Sequence, residues 1–79
     1  MSTNEKELQN LLHNLCWLRK HFGYSKKEMA EILGISVWSF NKIERGEMPP
    51  KLRINVLFTV YRHFGITPDS LLSHRRKDL

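Results

Sequence analysis

The chain has 79 residues, is 41% hydrophobic and 27% charged, and carries a formal net charge of +5. That length suits one domain with a modest core, and the composition is globular, not disordered. The lone Cys16 excludes an internal disulfide, four histidines without ligand spacing argue against a zinc site, and the basic excess points to an anionic partner, nucleic acid or a membrane surface.

Apolar residues recur at three- and four-residue steps throughout, so the pattern is all-helical. The first helix is expected from near Asn4, with Asn4 and Glu7 as a capping box. Leu8, Leu11, Leu12, Leu15, Leu18 and Phe22 form its stripe, and Gly23 ends it. Ser25 opens the second helix with Glu28 as a second capping box, and Tyr24 and Met29 stand at staple spacing. Met29, Ala30 and Leu33 face inward, and Gly34 closes the helix. Ser36 opens the third helix, with Ile35 and Phe40 again at staple spacing, and Gly46 stops it. Pro49 and Pro50 make the following stretch a loop. A fourth helix is expected over about Leu52 to His63, with Ile54, Leu57, Phe58, Tyr61 and Phe64 as its stripe. Thr67, Pro68 and Asp69 start a short fifth helix that Leu71 and Leu72 dock. The domain therefore spans 1–79, with a core of about 5–73 and a basic tail, 74–79, expected to be flexible. No apolar run approaches membrane-spanning length, and the N-terminus lacks the layout of a signal peptide.

The second and third helices are separated only by Gly34 and Ile35, which forces a steep crossing. This is the layout of a helix-turn-helix, whose second helix can enter a DNA major groove. From about Leu15 to Leu72 the chain resembles the lambda-repressor/Cro-like, or Xre-type, helix-turn-helix family. The string LRKHFGYSKKEMAEILGISVWSFNKIERGEMPP carries the resemblance, together with the later FGITPDSLL. The resemblance implies a compact five-helix all-α DNA-binding domain with the helix-turn-helix at helices two and three. It also implies a bacterial or phage transcription regulator that acts in the cytoplasm with the nucleoid.

At about 100° per residue, Val37, Trp38, Asn41, Lys42 and Arg45 share one arc of the third helix, opposite Phe40 and Ile43. The family meets base edges and nearby phosphates with that arc. Asn41 suits adenine, Lys42 suits guanine N7 and O6, and Val37 and Trp38 suit a thymine methyl. Family members more often carry polar residues at the last two positions, and Trp38 has a second reading, folded back over Ile35 or the loop. Phosphate contacts are expected from Lys26 and Lys27 at a helix N-terminus, from Arg45, and from Lys51 and Arg53 beyond the third helix. The resemblance further pairs Arg19 with Glu44 as a structural ion pair that sets the angle of the third helix.

The expected function is sequence-specific double-stranded DNA binding by a repressor, as a homodimer on two-fold half-sites. Dimer contacts fall to the fourth and fifth helices, or to Leu8, Leu12 and Trp17 of the first. The other reading is a protein-interaction module on the same fold, such as an antitoxin or a regulator of another regulator. It would use the apolar Val37 and Trp38, joined by Ile32. No nucleophile–base pair, carboxylate pair or phosphate loop suggests an enzyme, no cofactor is implied, and packed helices argue against a membrane-surface role.

Overall fold

Capping residues and glycines divide the chain. The computed structural model describes residues 2–50 and 52–77. Over these the chain forms α1 (Ser2–Phe22), α2 (Lys26–Leu33), α3 (Val37–Glu44), α4 (Asn55–Phe64) and α5 (Pro68–Ser73), with no strand among the described residues. The side-chain oxygens of Ser25, Ser36 and Thr67 each accept the backbone N–H three residues on, meeting donors the first helical turn leaves open. At Ser25 the box closes both ways, because Glu28 accepts the Ser25 N–H at 2.8 Å. Asn4 lies inside α1, not at its start, since the helix already runs from Ser2.

The core joins Leu11, Leu12, Leu15 and Leu18 of α1 to Met29, Ala30 and Leu33 of α2. Phe40 and Ile43 of α3, Val56 and Val60 of α4 and Leu71 of α5 complete it. α1 packs on α3 and α5, α2 on α3 and α4, and α4 on α5. Fully burying a side chain such as Phe40 contributes about 2–3 kcal/mol. The ends of the expected α1 stripe are not core, since Leu8 is 42% and Phe22 51% exposed. No helix among the described residues is long and apolar enough to cross a membrane.

Two further expectations are corrected. α4 starts three residues late, and its buried residues are Val56 and Val60, whereas Ile54, Phe58 and Tyr61 are exposed. Asn55, Thr59, Arg62 and His63 share its polar side and the rest of the helix is one wide apolar arc, so periodicity does not show which part of that arc is buried. The tail is not free through Lys77. Asn14 Nδ2 donates to the carbonyls of Leu71 (2.7 Å) and His74 (2.9 Å), and its Oδ1 accepts the Arg76 N–H at 2.8 Å. Asn10 donates to the Leu72 carbonyl, His13 bonds the Arg76 carbonyl, and the Trp17 indole donates to Lys77. Asp78 and Leu79 lie outside the described residues.

Candidate nucleic-acid interface

The link between α2 and α3 is short, Gly34, Ile35 and Ser36. Gly34 takes φ 73°, a left-handed conformation open to glycine at little cost. Its N–H donates to the Glu31 carbonyl and the Ile35 N–H to that of Ala30, which satisfies the end of α2. Ser36 then caps α3 at once. The same closure ends α3, with Gly46 N–H on Ile43 and Glu47 N–H on Lys42.

α3 is sealed on one side and open on the other. Phe40 and Ile43 are buried, whereas Trp38 is 61% and Val37 39% exposed. Trp38 therefore stands out from the body and does not fold back over Ile35. Asn41 and Lys42 are half-buried. The Lys42 ammonium lies 4.9 Å over the Trp38 ring and 3.3 Å from a Glu47 carboxylate oxygen. Arg45 Nε lies 3.5 Å from the other oxygen of Glu47. The hydrogen bonds from Arg45 and Lys42 hold the Glu47 carboxyl below its usual range. Sequence reasoning missed Glu47, although an acid two residues past Arg45 and five past Lys42 is legible as a partner once the helix end is known.

Arg19 anchors this helix to the body. Its Nε donates to Glu44 at 2.9 Å and a terminal nitrogen donates to the Tyr24 carbonyl at 3.1 Å. One guanidinium thus ties α1, the turn before α2 and the last residue of α3. Both side chains are about one-fifth exposed (19% and 18%), so solvent only partly screens the pair. Nearby, Cys16 donates to the Ile43 carbonyl at 3.6 Å. Burial first, then the charge of Glu44, pushes its thiol up to about 11, so it is a poor nucleophile at neutral pH.

Lys26 and Lys27 are exposed in the first turn of α2. Arg53 is exposed too, and lines an open groove of about 630 Å³ with Ser36 and Ser39 of α3 and Asn55 and Thr59 of α4. The structure thus places Arg53 beside the first turn of α3. Lys51 lies outside the described residues. Of the apolar surface expected on α1 for a dimer, Leu12 is buried and Trp17 is partly covered, with its indole turned to the tail. Ile32, expected to extend the Val37 and Trp38 patch, is half-buried in the wall of that same groove. Among the described residues, no group of three or more His, Cys, Asp or Glu could hold a metal ion.

A model of the helix-turn-helix family matches residues 17–71. Comparison with curated proteins and with solved structures gives no match.

Proposed function

Because this chain belongs to the lambda-repressor/Cro-like helix-turn-helix family, a DNA-binding family, we propose that it is a sequence-specific double-stranded DNA-binding repressor that lays α3 in the major groove. The observation that carries this reading is the two-sided α3. Its inner side is locked into the core, its end is tied by Arg19, and Val37, Trp38, Asn41 and Lys42 stand on the side away from the core. In this reading Asn41 bonds adenine, Trp38 and Val37 pack on thymine methyls, and Lys42 leaves Glu47 to donate to guanine. Leaving is cheap, because an exposed ion pair is weak. Lys26, Lys27, Arg45, Lys51 and Arg53 hold phosphates and set the register. Two copies sit on two-fold half-sites, and the protein acts with the DNA in the cytoplasm.

Selection of bound sequences from a random duplex pool tests the reading. A two-fold motif should emerge, and Asn41→Ala should relax preference at one position of each half. A pool that stays random at low salt would reject it. One observation favours a second reading: Val37 and Trp38 form an exposed apolar pair, as protein partners use. Salt separates the two, because phosphate binding weakens steeply with ionic strength and an apolar contact hardly responds.

A further inference from the structure

Three segments meet behind the end of α3. Gln9, His13 and Lys20 of α1, Glu44 and Gly46 at the last turn of α3, and Arg75 of the tail line a hollow of about 270 Å³. Steps of four and seven residues put the three α1 side chains on one stripe. Arg75 is delivered to that stripe by the fold. Asn14 bonds the carbonyls of Leu71 and His74 and the N–H of Arg76, so the backbone on both sides of Arg75 is held to α1. His13 adds a bond to the Arg76 carbonyl at 2.6 Å. None of these bonds uses the Arg75 side chain.

The hollow is positive. Lys20 and Arg75 line it, and among the described residues neither forms an ion pair. Glu44, the one acid among the described lining residues, is matched by Arg19 at 2.9 Å. The Cys16 thiol in the wall adds no charge, because burial raises it and keeps it protonated. The sequence has no acid from Leu8 to Lys27, and none from Ser70 to Lys77.

We propose that this hollow binds a small free anion of the phosphate type, held by Lys20, Arg75 and the Gln9 amide. Its volume lies just under the roughly 300 Å³ at which sites for drug-sized ligands begin, so the occupant is small. A guanidinium offers phosphate two parallel N–H donors, an ammonium adds a compact charge, and an amide adds a neutral donor. Phosphate oxygens point in tetrahedral directions and meet donors that converge from separate segments, whereas a carboxylate meets them in one plane.

Position decides the source of the anion. Ile43 is buried in the core, and Glu44 turns to Arg19 of α1. The hollow therefore lies on the α1 side of α3, away from Val37, Trp38, Asn41 and Lys42. A duplex laid on that outer arc leaves the hollow open, so its occupant comes from solution and not from the DNA backbone. This choice of source rests on the function proposed above; the anion site itself does not.

The experiment is an NMR titration of the whole chain with inorganic phosphate, with sodium chloride keeping the ionic strength constant. The backbone amides of Arg75 and Gly46, the Arg75 Nε–H and the Gln9 side-chain amide should shift along one saturable curve, with a Kd on the order of 1–10 mM. Lys20→Gln and Arg75→Gln should each weaken binding about five- to tenfold with an unchanged melting temperature, since both side chains are exposed. Lys26→Gln, in the first turn of α2, should leave binding unchanged. Arg75 also edges a second hollow with Glu5, an acid that competes for it, so Glu5→Gln should tighten binding about twofold. Shifts that rise with phosphate without saturating, or that are confined to Lys26 and Lys27, overturn the proposal.

A second arm separates the two sources of phosphate. On the selected duplex, free phosphate should still shift Arg75, and Arg75→Gln should leave the salt slope unchanged. Free phosphate displaced by the duplex, with the slope reduced by about 0.9 in the variant, would give Arg75 to the DNA backbone and overturn the free-anion site. If no duplex binds at all, the DNA reading falls, and the phosphate titration alone still decides the site.

Discussion

Two acids near the end of α3 do different work, and substitution should separate them. Glu44 sits against Arg19, and its loss strands a guanidinium that is mostly out of water. Glu44→Ala should destabilise by about 1–3 kcal/mol, lowering the melting temperature by roughly 5–15 °C. Combined with Arg19→Ala the two losses should fall well short of additive. Additive losses in a thermal melt would show that the residues do not act as a pair. In the proposed reading Glu47 instead competes with guanine for Lys42 and with phosphate for Arg45. Glu47→Gln should raise affinity about two- to fivefold, most on duplexes that offer Lys42 its guanine. Its carboxyl is held low by those cations. The clamp is therefore complete above the ordinary carboxylate value of about 4.3 and is lost only as pH falls through the lowered one. A carboxyl titration followed by NMR should place Glu47 below the ordinary carboxylate range. Glu44 was legible through the family resemblance, which pairs it with Arg19; Glu47 was not, because its partners follow only once the end of α3 and the turn after it are known.

At the scale of elements, the helix-turn-helix is the most local part of the fold. Its caps and glycines are all within a few residues of one another, and each was readable from spacing. The join between α1 and α5 is the opposite case. Asn14 is fully buried and holds three backbone groups of the C-terminal segment, and Asn10 holds a fourth. The three bonds of Asn14 also fix which way its amide points, since only nitrogen donates and only oxygen accepts. The signal was present as two asparagines four apart within a leucine stripe, with Trp17 completing the row. Its meaning needed the partner segment, about sixty residues away. Asn14→Ala should cost about 2–4 kcal/mol, since it leaves buried carbonyls and an N–H unpaired. Hydrogen exchange at Arg76 should rise to that of an unprotected amide; protection retained in the variant would mean that the tail is held by something else.

For the whole molecule, charge gives the sharpest expectation. With Lys26, Lys27, Arg45, Lys51 and Arg53 on phosphates, log affinity should fall against log salt with a slope of about −4.5 per copy, and about twice that on paired half-sites. Lys26→Ala should reduce the slope by about 0.9 per copy while leaving the selected motif unchanged. A flat salt response in an equilibrium titration would move the function to the protein-partner reading. This expectation needs only the count of cations, which is written in the chain, and the side on which they lie, which is not.

The sequence by itself determined the family, the five helices, the ends of α2 and α3 and the outward arc of α3. Caps, left-handed glycines and helical periodicity act over a turn or two of chain, and their causes lie beside their effects. Tertiary structure alone decided which arc of α4 is buried, where the tail goes and how Lys42 and Arg45 are held. The apolar arc of α4 is wider than the core can take, so local pattern leaves open which part of it is buried, and only the packing against α2 and α5 selects Val56 and Val60. The tail is basic and polar, and reads as solvated until Asn14 and Trp17 supply partners from the far end of the chain.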